Sequence, residues 1–131
     1  MRGALGVAAA LVAASTSAPA QAPAQAAKTG QAVYQQTCAV CHATGVADAP
    51  KFGDVAQWKP LIEEGQAHVT AHGWVGVRAM PPRGGDSSLS LEEFARAVAY
   101  MARAAGADWR DPDPALLTRI ANEASEAEKK R

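Results

Sequence analysis

The decisive stretch of this 131-residue chain is Thr37-Cys38-Ala39-Val40-Cys41-His42, which holds both of its cysteines. Two residues between the cysteines put both sulfurs on one side of a single turn, and a histidine follows at once. This is the C-x-x-C-H spacing of covalent haem attachment. Each sulfur can form a thioether with one vinyl group of a porphyrin, and the adjacent imidazole is then held under the iron. Three other readings of the pair are weaker. A Cys38–Cys41 disulfide would close too small a loop to stabilise much. Zinc would need a fourth ligand, and no second Cys or His pair follows at finger spacing, which leaves only His68 and His72 as candidates. A thiol-exchange motif needs a βαβ context that the sequence does not offer.

A haem iron held by His42 has a sixth position to fill. Met80 is the candidate, in a stretch with no helical pattern and followed by Pro81-Pro82, which stiffens the backbone that presents it. A thioether is a soft, neutral ligand that raises the potential, which suits electron transfer. Met101 is the alternative sulfur, but it falls on the apolar stripe of a helix, where packing is the expected role. His68 and His72, four residues apart, read as ordinary surface histidines.

Outward from this core, Met1-Arg2, the apolar run Ala4 to Ala14 and the small residues up to Ala20 read as an export signal, residues 1–20. Cleavage after Ala20 would leave an Ala/Gln/Pro tether, residues 21–28, and a protein of 12 basic and 13 acidic residues. Periplasmic localisation follows, with no membrane span once the signal is gone. Balanced charge removes the footprint of a nucleic-acid binder.

The folded domain is expected over residues 29–106. Thr29 to Thr37 reads as a short helix. Asp54 to Glu64 has helical spacing, with Pro60 moving the expected start to Trp58 or Lys59. Leu91 to Ala105 is the clearest helix, opened by a Ser90/Glu93 capping box and closed at Gly106. Long loops are expected at Gly45 to Gly53 and Gly73 to Gly85. Residues 107–131 are expected to form an extension with an amphipathic helix, capped by Asp113 and Pro114 and carrying Leu116, Leu117, Ile120, Ala121 and Ala124 on one face. No strand pattern persists, so the class is all-α, with three to four short helices.

Alanine supplies 32 residues and aromatic side chains only seven. A core so thin is marginal unless something else fills it. A flat apolar macrocycle answers that need, and a cavity is expected between Cys41, His42 and Met80.

Gly30, Tyr34, the Cys38 to His42 run, Gly45, Ala49-Pro50, Gly53, Trp58, Gly65, Gly73, Met80-Pro81-Pro82 with Gly84-Gly85, and Tyr100-Met101 together resemble the class I c-type cytochromes. The resemblance is nearest to the bacterial c5-like subgroup and spans about Lys28 to Ala105. It implies a small helical shell around one covalently bound haem c, with the first and last helices crossing so that Gly30 and Tyr34 meet the Phe94 to Tyr100 face. By the same resemblance, Pro50 offers its carbonyl to the His42 ring, and Trp58 lies beside the haem with its indole N–H in reach of a propionate. Many relatives carry a second cysteine pair after the paired glycines, where this chain has Gly85-Asp86-Ser87-Ser88-Leu89-Ser90.

The implied function is that of a monomeric periplasmic electron carrier rather than an enzyme, with His42 and Met80 on the iron. Redox proteins would dock transiently at the haem edge, near Lys51, Lys59, Arg78 and Arg83. The alternative is a haem subunit held in an oxidoreductase complex by its final helix.

Overall fold

Thr29 opens the first helix by accepting a hydrogen bond from the Ala32 N–H at 3.1 Å. From there the chain is helical through His42, as α1 (Gly30–Val33), a π turn (Tyr34–Cys38) and α2 (Ala39–His42). The structure is a computed structural model that describes residues 3–19 and 26–131. The expected cleavage point after Ala20 and most of the 21–28 tether lie outside the described residues. Residues 3–19 form no regular structure, and Leu5, Val7, Leu11 and Val12 are almost fully exposed.

After α2 come a 3₁₀ turn (Val46–Asp48), α3 (Val55–Glu64), α4 (Gln66–Val75), a second 3₁₀ turn (Pro82–Gly85), α5 (Leu91–Ala104) and α6 (Pro114–Lys129). Extended pairing among the described residues is limited to an isolated bridge between Val77 and Met80. No described helix is long and apolar enough to cross a membrane.

Two expectations need correction. Helix α3 begins at Val55, capped by Asp54, and runs through Pro60. Pro60 and Ala56 are both exposed, so the carbonyl that loses its partner faces water. Helix α4 falls partly where a loop was expected to begin, at Gly73, and the loop starts instead at Gly76.

Helix α5 is the central element. Its capping box is formed, with Ser90 Oγ accepting from the Glu93 N–H and Glu93 Oε1 accepting from the Ser90 N–H, both at 3.1 Å. Phe94, Ala95, Ala97, Val98, Ala99, Met101 and Ala102 are all buried, so the helix is covered on several sides. Alanine makes this possible by letting neighbouring helices come close. On one side α1 crosses it at Gly30, where a Cβ would lie 2.7 Å from the Arg96 carbonyl carbon and 3.0 Å from Tyr100 Cβ. Beside this crossing the Tyr34, Phe52 and Tyr100 rings cluster with centroids 4.6 to 5.6 Å apart.

A second cluster joins α4, α5 and α6 through Ala67, Ala71, Val75, Ala95, Ile120 and Ala124. Helix α6 does form, capped by Asp113 Oδ1 on the Leu116 N–H at 2.7 Å. Its apolar face is turned onto α4, with Ile120 fully buried and Leu116 and Leu117 half-buried.

Candidate functional site

The π turn and α2 place the two cysteines and the histidine on consecutive turns. Cys38 is buried, Cys41 half-buried and His42 buried, whereas Val40 between the cysteines is 74% exposed. The cysteines are free thiols. Burial pushes the Cys38 thiol up to about 11. Thiol-exchange enzymes need the opposite, a depressed pKa that exposes a thiolate.

His42 is held from two directions by one short stretch of chain. Its Nδ1 lies 2.8 Å from the Pro50 carbonyl oxygen, and its own carbonyl accepts from the Phe52 N–H at 2.7 Å. With Nδ1 donating to that carbonyl, Nε2 is the lone-pair nitrogen left for a metal. The residue between these two contacts is itself fixed. Lys51 donates its N–H to Gln57 Oε1 at 2.7 Å and accepts the Trp58 indole N–H on its carbonyl at 3.0 Å. The Trp58 ring centroid is 6.4 Å from that of His42. The indole N–H is therefore engaged by the Lys51 carbonyl. Trp58 is 2% exposed and secures the strand of chain that secures His42.

Gln57 was not singled out in the sequence, although a signal exists. Asp54 and Gln57 have capping-box spacing, and Asp54 Oδ1 does accept from the Gln57 N–H at 3.0 Å. The glutamine side chain reaches past the cap to Lys51.

Met80 comes from a separate wall. Its N–H and carbonyl pair with Val77 at 2.9 and 3.1 Å, closing a tight loop over exposed Arg78 and Ala79. Gly73 of α4 faces it, where a Cβ would come within 3.0 Å of Phe94 Cζ and 3.6 Å of Met80 Cε. Absence of a side chain at residue 73 lets α4, Phe94 and the methionine converge. Met80 is half-buried against the main cluster, whereas Met101 is 2% exposed within α5. Arg83 lies 4.1 Å over the Trp74 ring and donates to the Ser87 carbonyl at 3.1 Å. Its guanidinium is thus engaged, unlike the exposed Lys51, Lys59 and Arg78.

His68 and His72 lie apart from this constellation, beside α6. Their rings stack at 4.2 Å, and His68 lies 3.7 Å from Glu64 and 3.5 Å from Glu123. Among the described residues no group of three or more Cys, His, Asp or Glu is placed to hold a metal ion, so no zinc cage forms around Cys38, Cys41 and His42.

The comparisons with known proteins decide the family. Residues 25–101 match the family described as "Cytochrome C oxidase, cbb3-type, subunit III". Cytochrome c-555 of Chlorobaculum tepidum is 40% identical over 99 residues, covering 72% of this chain and 92% of the relative. The chain is a class I c-type cytochrome of the c5-like group. Cytochrome c5 of Azotobacter vinelandii is 36% identical over 77 residues, 57% of the cytochrome described here and 93% of its own length. Among solved structures, a chain of the "Crystal structure of electron transfer complex of nitrite reductase with cytochrome c" superposes with a TM-score of 0.56 at 45% identity. That match covers 58% of this cytochrome and 93% of the other chain.

The cytochrome is an electron carrier with one covalently bound haem c. Its donor chemistry fits that group: two unpaired thiols on adjacent turns, a buried imidazole with one nitrogen engaged, and a half-buried thioether. Phe52, Leu61, Ile62, Val69 and Trp74 pack against the main cluster yet stay half-buried. Two hollows stand out among the described residues, one beside Gln66, Trp109 and Arg119 and one beside His72, Glu123 and Arg131. Neither is lined by Cys41, His42 or Met80. Half-burial of these large side chains fits a thin core that an apolar macrocycle would complete.

Proposed function

We propose that this cytochrome is a periplasmic carrier of single electrons, with Cys38 and Cys41 as the thioether sites and His42 and Met80 as the axial ligands. The observation that carries the reading is the buried His42 ring, fixed through Nδ1 by the Pro50 carbonyl at 2.8 Å so that Nε2 is the donor. When bound, haem c supplies a one-electron ferrous/ferric couple that makes and breaks no substrate bond. The chain holds ligands rather than moving them. Pro50 fixes the tautomer and plane of His42, Lys51 is clamped by Gln57 and Trp58, and the Val77 bridge holds the Met80 backbone. Fixed ligands keep reorganisation small when the charge on the iron changes.

Export to the periplasm is supported by the charged, then apolar, then small-residue order of residues 1–20, whose described part makes no packed core. For docking, Val40 and Val46 are 74% and 51% exposed around the attachment turn, with Lys51 beside them. A small apolar patch with few charges suits a weak, transient complex. The similar chain solved in an electron transfer complex with a nitrite reductase supports a redox enzyme as the kind of partner.

The matched family description names an oxidase subunit, which favours the alternative of a permanent complex. Against it, the face of α6 that would serve as the docking element is already used on α4.

Expression of the full chain with haem maturation, followed by a covalent haem stain on a denaturing gel and ferric spectroscopy, tests the reading. Cys38→Ala with Cys41→Ala should abolish the stain. Met80→Ala should abolish the weak ferric band at the red edge of the visible spectrum while leaving the stain. A band that survives in Met80→Ala would refute the ligand assignment.

A further inference from the structure

We infer that the C-terminal extension is a positioning element for the sixth-ligand loop. It braces α4 from behind so that Met80 stays on the iron against competing ligands. The inference rests on the assignment of Met80 as a ligand.

Helix α4 lies between two neighbours. On one side Ala67, Ala71 and Val75, at four-residue intervals, form a seam of small side chains that receives Ile120 and Ala124 of α6. Ile120 has no exposed surface and Ala124 is 5% exposed, so the seam is closed. Both ends of α4 are also clasped by the extension. Gln66 Nε2 donates to the Arg110 carbonyl at 2.6 Å, and the Arg131 guanidinium donates to the Val75 carbonyl at 2.6 Å. The second clasp satisfies a C-terminal carbonyl that a helix leaves open, with a cation at its negative end.

The opposite side of α4 carries the methionine loop. Gly73 is two residues beyond Ala71, about 200° of helical rotation, and its bare Cα faces Phe94 and Met80. Trp74 supports Arg83 on the far side of Met80. Gly76, with φ of 100°, packs its backbone on Pro82, where a Cβ would lie 3.0 Å from Pro82 Cδ. The loop therefore touches α4 before and after the methionine, and α4 is held in place by α6. Displacing α4 outward would widen the site on the methionine side, while Cys38, Cys41 and His42, on other elements, stay where they are. Residues 107–131, which carry the brace, lie beyond the family match at 25–101.

The test is an imidazole titration of the ferric, full-length holoprotein, read by its absorption spectrum. In Ile120→Ala and Arg131→Ala the red-edge band should persist without imidazole, and imidazole should bind roughly tenfold more tightly, in the usual range of coupling between packed sites. Ile120→Val should restore most of the original affinity. Combined with Met80→Ala, Ile120→Ala should have no further effect, because the competitor is already gone. Imidazole affinity unchanged within about twofold in a folded Ile120→Ala, or an equal effect with Met80→Ala present, would overturn the inference. Should Ile120→Ala fail to fold, Arg131→Ala and Gln66→Ala, which remove only the clasps, decide by the same readout. Survival of the band in Met80→Ala would instead refute the ligand assignment, an outcome distinct from either.

Discussion

At the scale of single residues, the chain uses backbone groups more than side chains to hold its histidine. Pro50 contributes a carbonyl that any residue could supply, whereas Trp58 contributes an indole N–H that few could. Pro50→Ala should therefore cost less than about 1 kcal/mol, chiefly through the unfolded chain. Trp58→Phe leaves the Lys51 carbonyl without its partner and should cost about 1–3 kcal/mol. Denaturant midpoints of the two holoproteins check the order. Cys38, Cys41 and His42 are contiguous, so their grouping is legible without a fold. The target of the Trp58 N–H is not, because sequence shows a tryptophan near a site but not which acceptor lies closest to its ring.

Among the elements, α5 was legible and α4 was not, and the difference is physical. Helix α5 opens with a reciprocal cap and carries a continuous apolar stripe. Helix α4 follows Gly65, which has no side chain to cap it, contains Gly73, and is covered on opposite sides by α6 and by the methionine loop. Burial on two faces erases the single stripe by which a helix is read. The α5 cap also has a pH signature. The Lys28 N–H, then the Ser90 N–H, hold the Glu93 carboxyl below the usual carboxylate range. Because folding lowers this pKa, the contribution is full above the unfolded value of about 4.3 and is lost as pH falls through the folded value. Glu93→Gln should flatten the acid limb of stability relative to the parent, measured as urea midpoints between neutral and acid pH. An acid limb of unchanged slope would count against the assignment.

For the whole molecule, 13 basic and 13 acidic residues leave no strong field to steer a partner. Electron-transfer rates with a redox enzyme should fall by no more than about threefold from low to moderate ionic strength. A stopped-flow series in salt would show it, and a steep decline would place a concentrated charge patch at the docking surface. The overall plan was readable to the extent that no strand pattern persists and that the motifs together resemble a family with a helical shell around haem. How α6 folds back was not, since an amphipathic face in sequence does not say whether its cover is another protein or the chain's own α4.

The π turn at Tyr34–Cys38 gives the first helix two independent phases. There the Ala39 N–H reaches back to the Tyr34 carbonyl, one residue further than in an α-helix. Residues before the turn are indexed to the α5 crossing, and residues after it are indexed to the attachment site. One residue corresponds to about 100° of rotation. Deleting either Gln35 or Gln36 would make the helix regular and swing the cysteine-histidine turn by that angle relative to Gly30 and Val33. The fold and the cofactor thus impose separate angular demands on one helix, and a single inserted residue reconciles them.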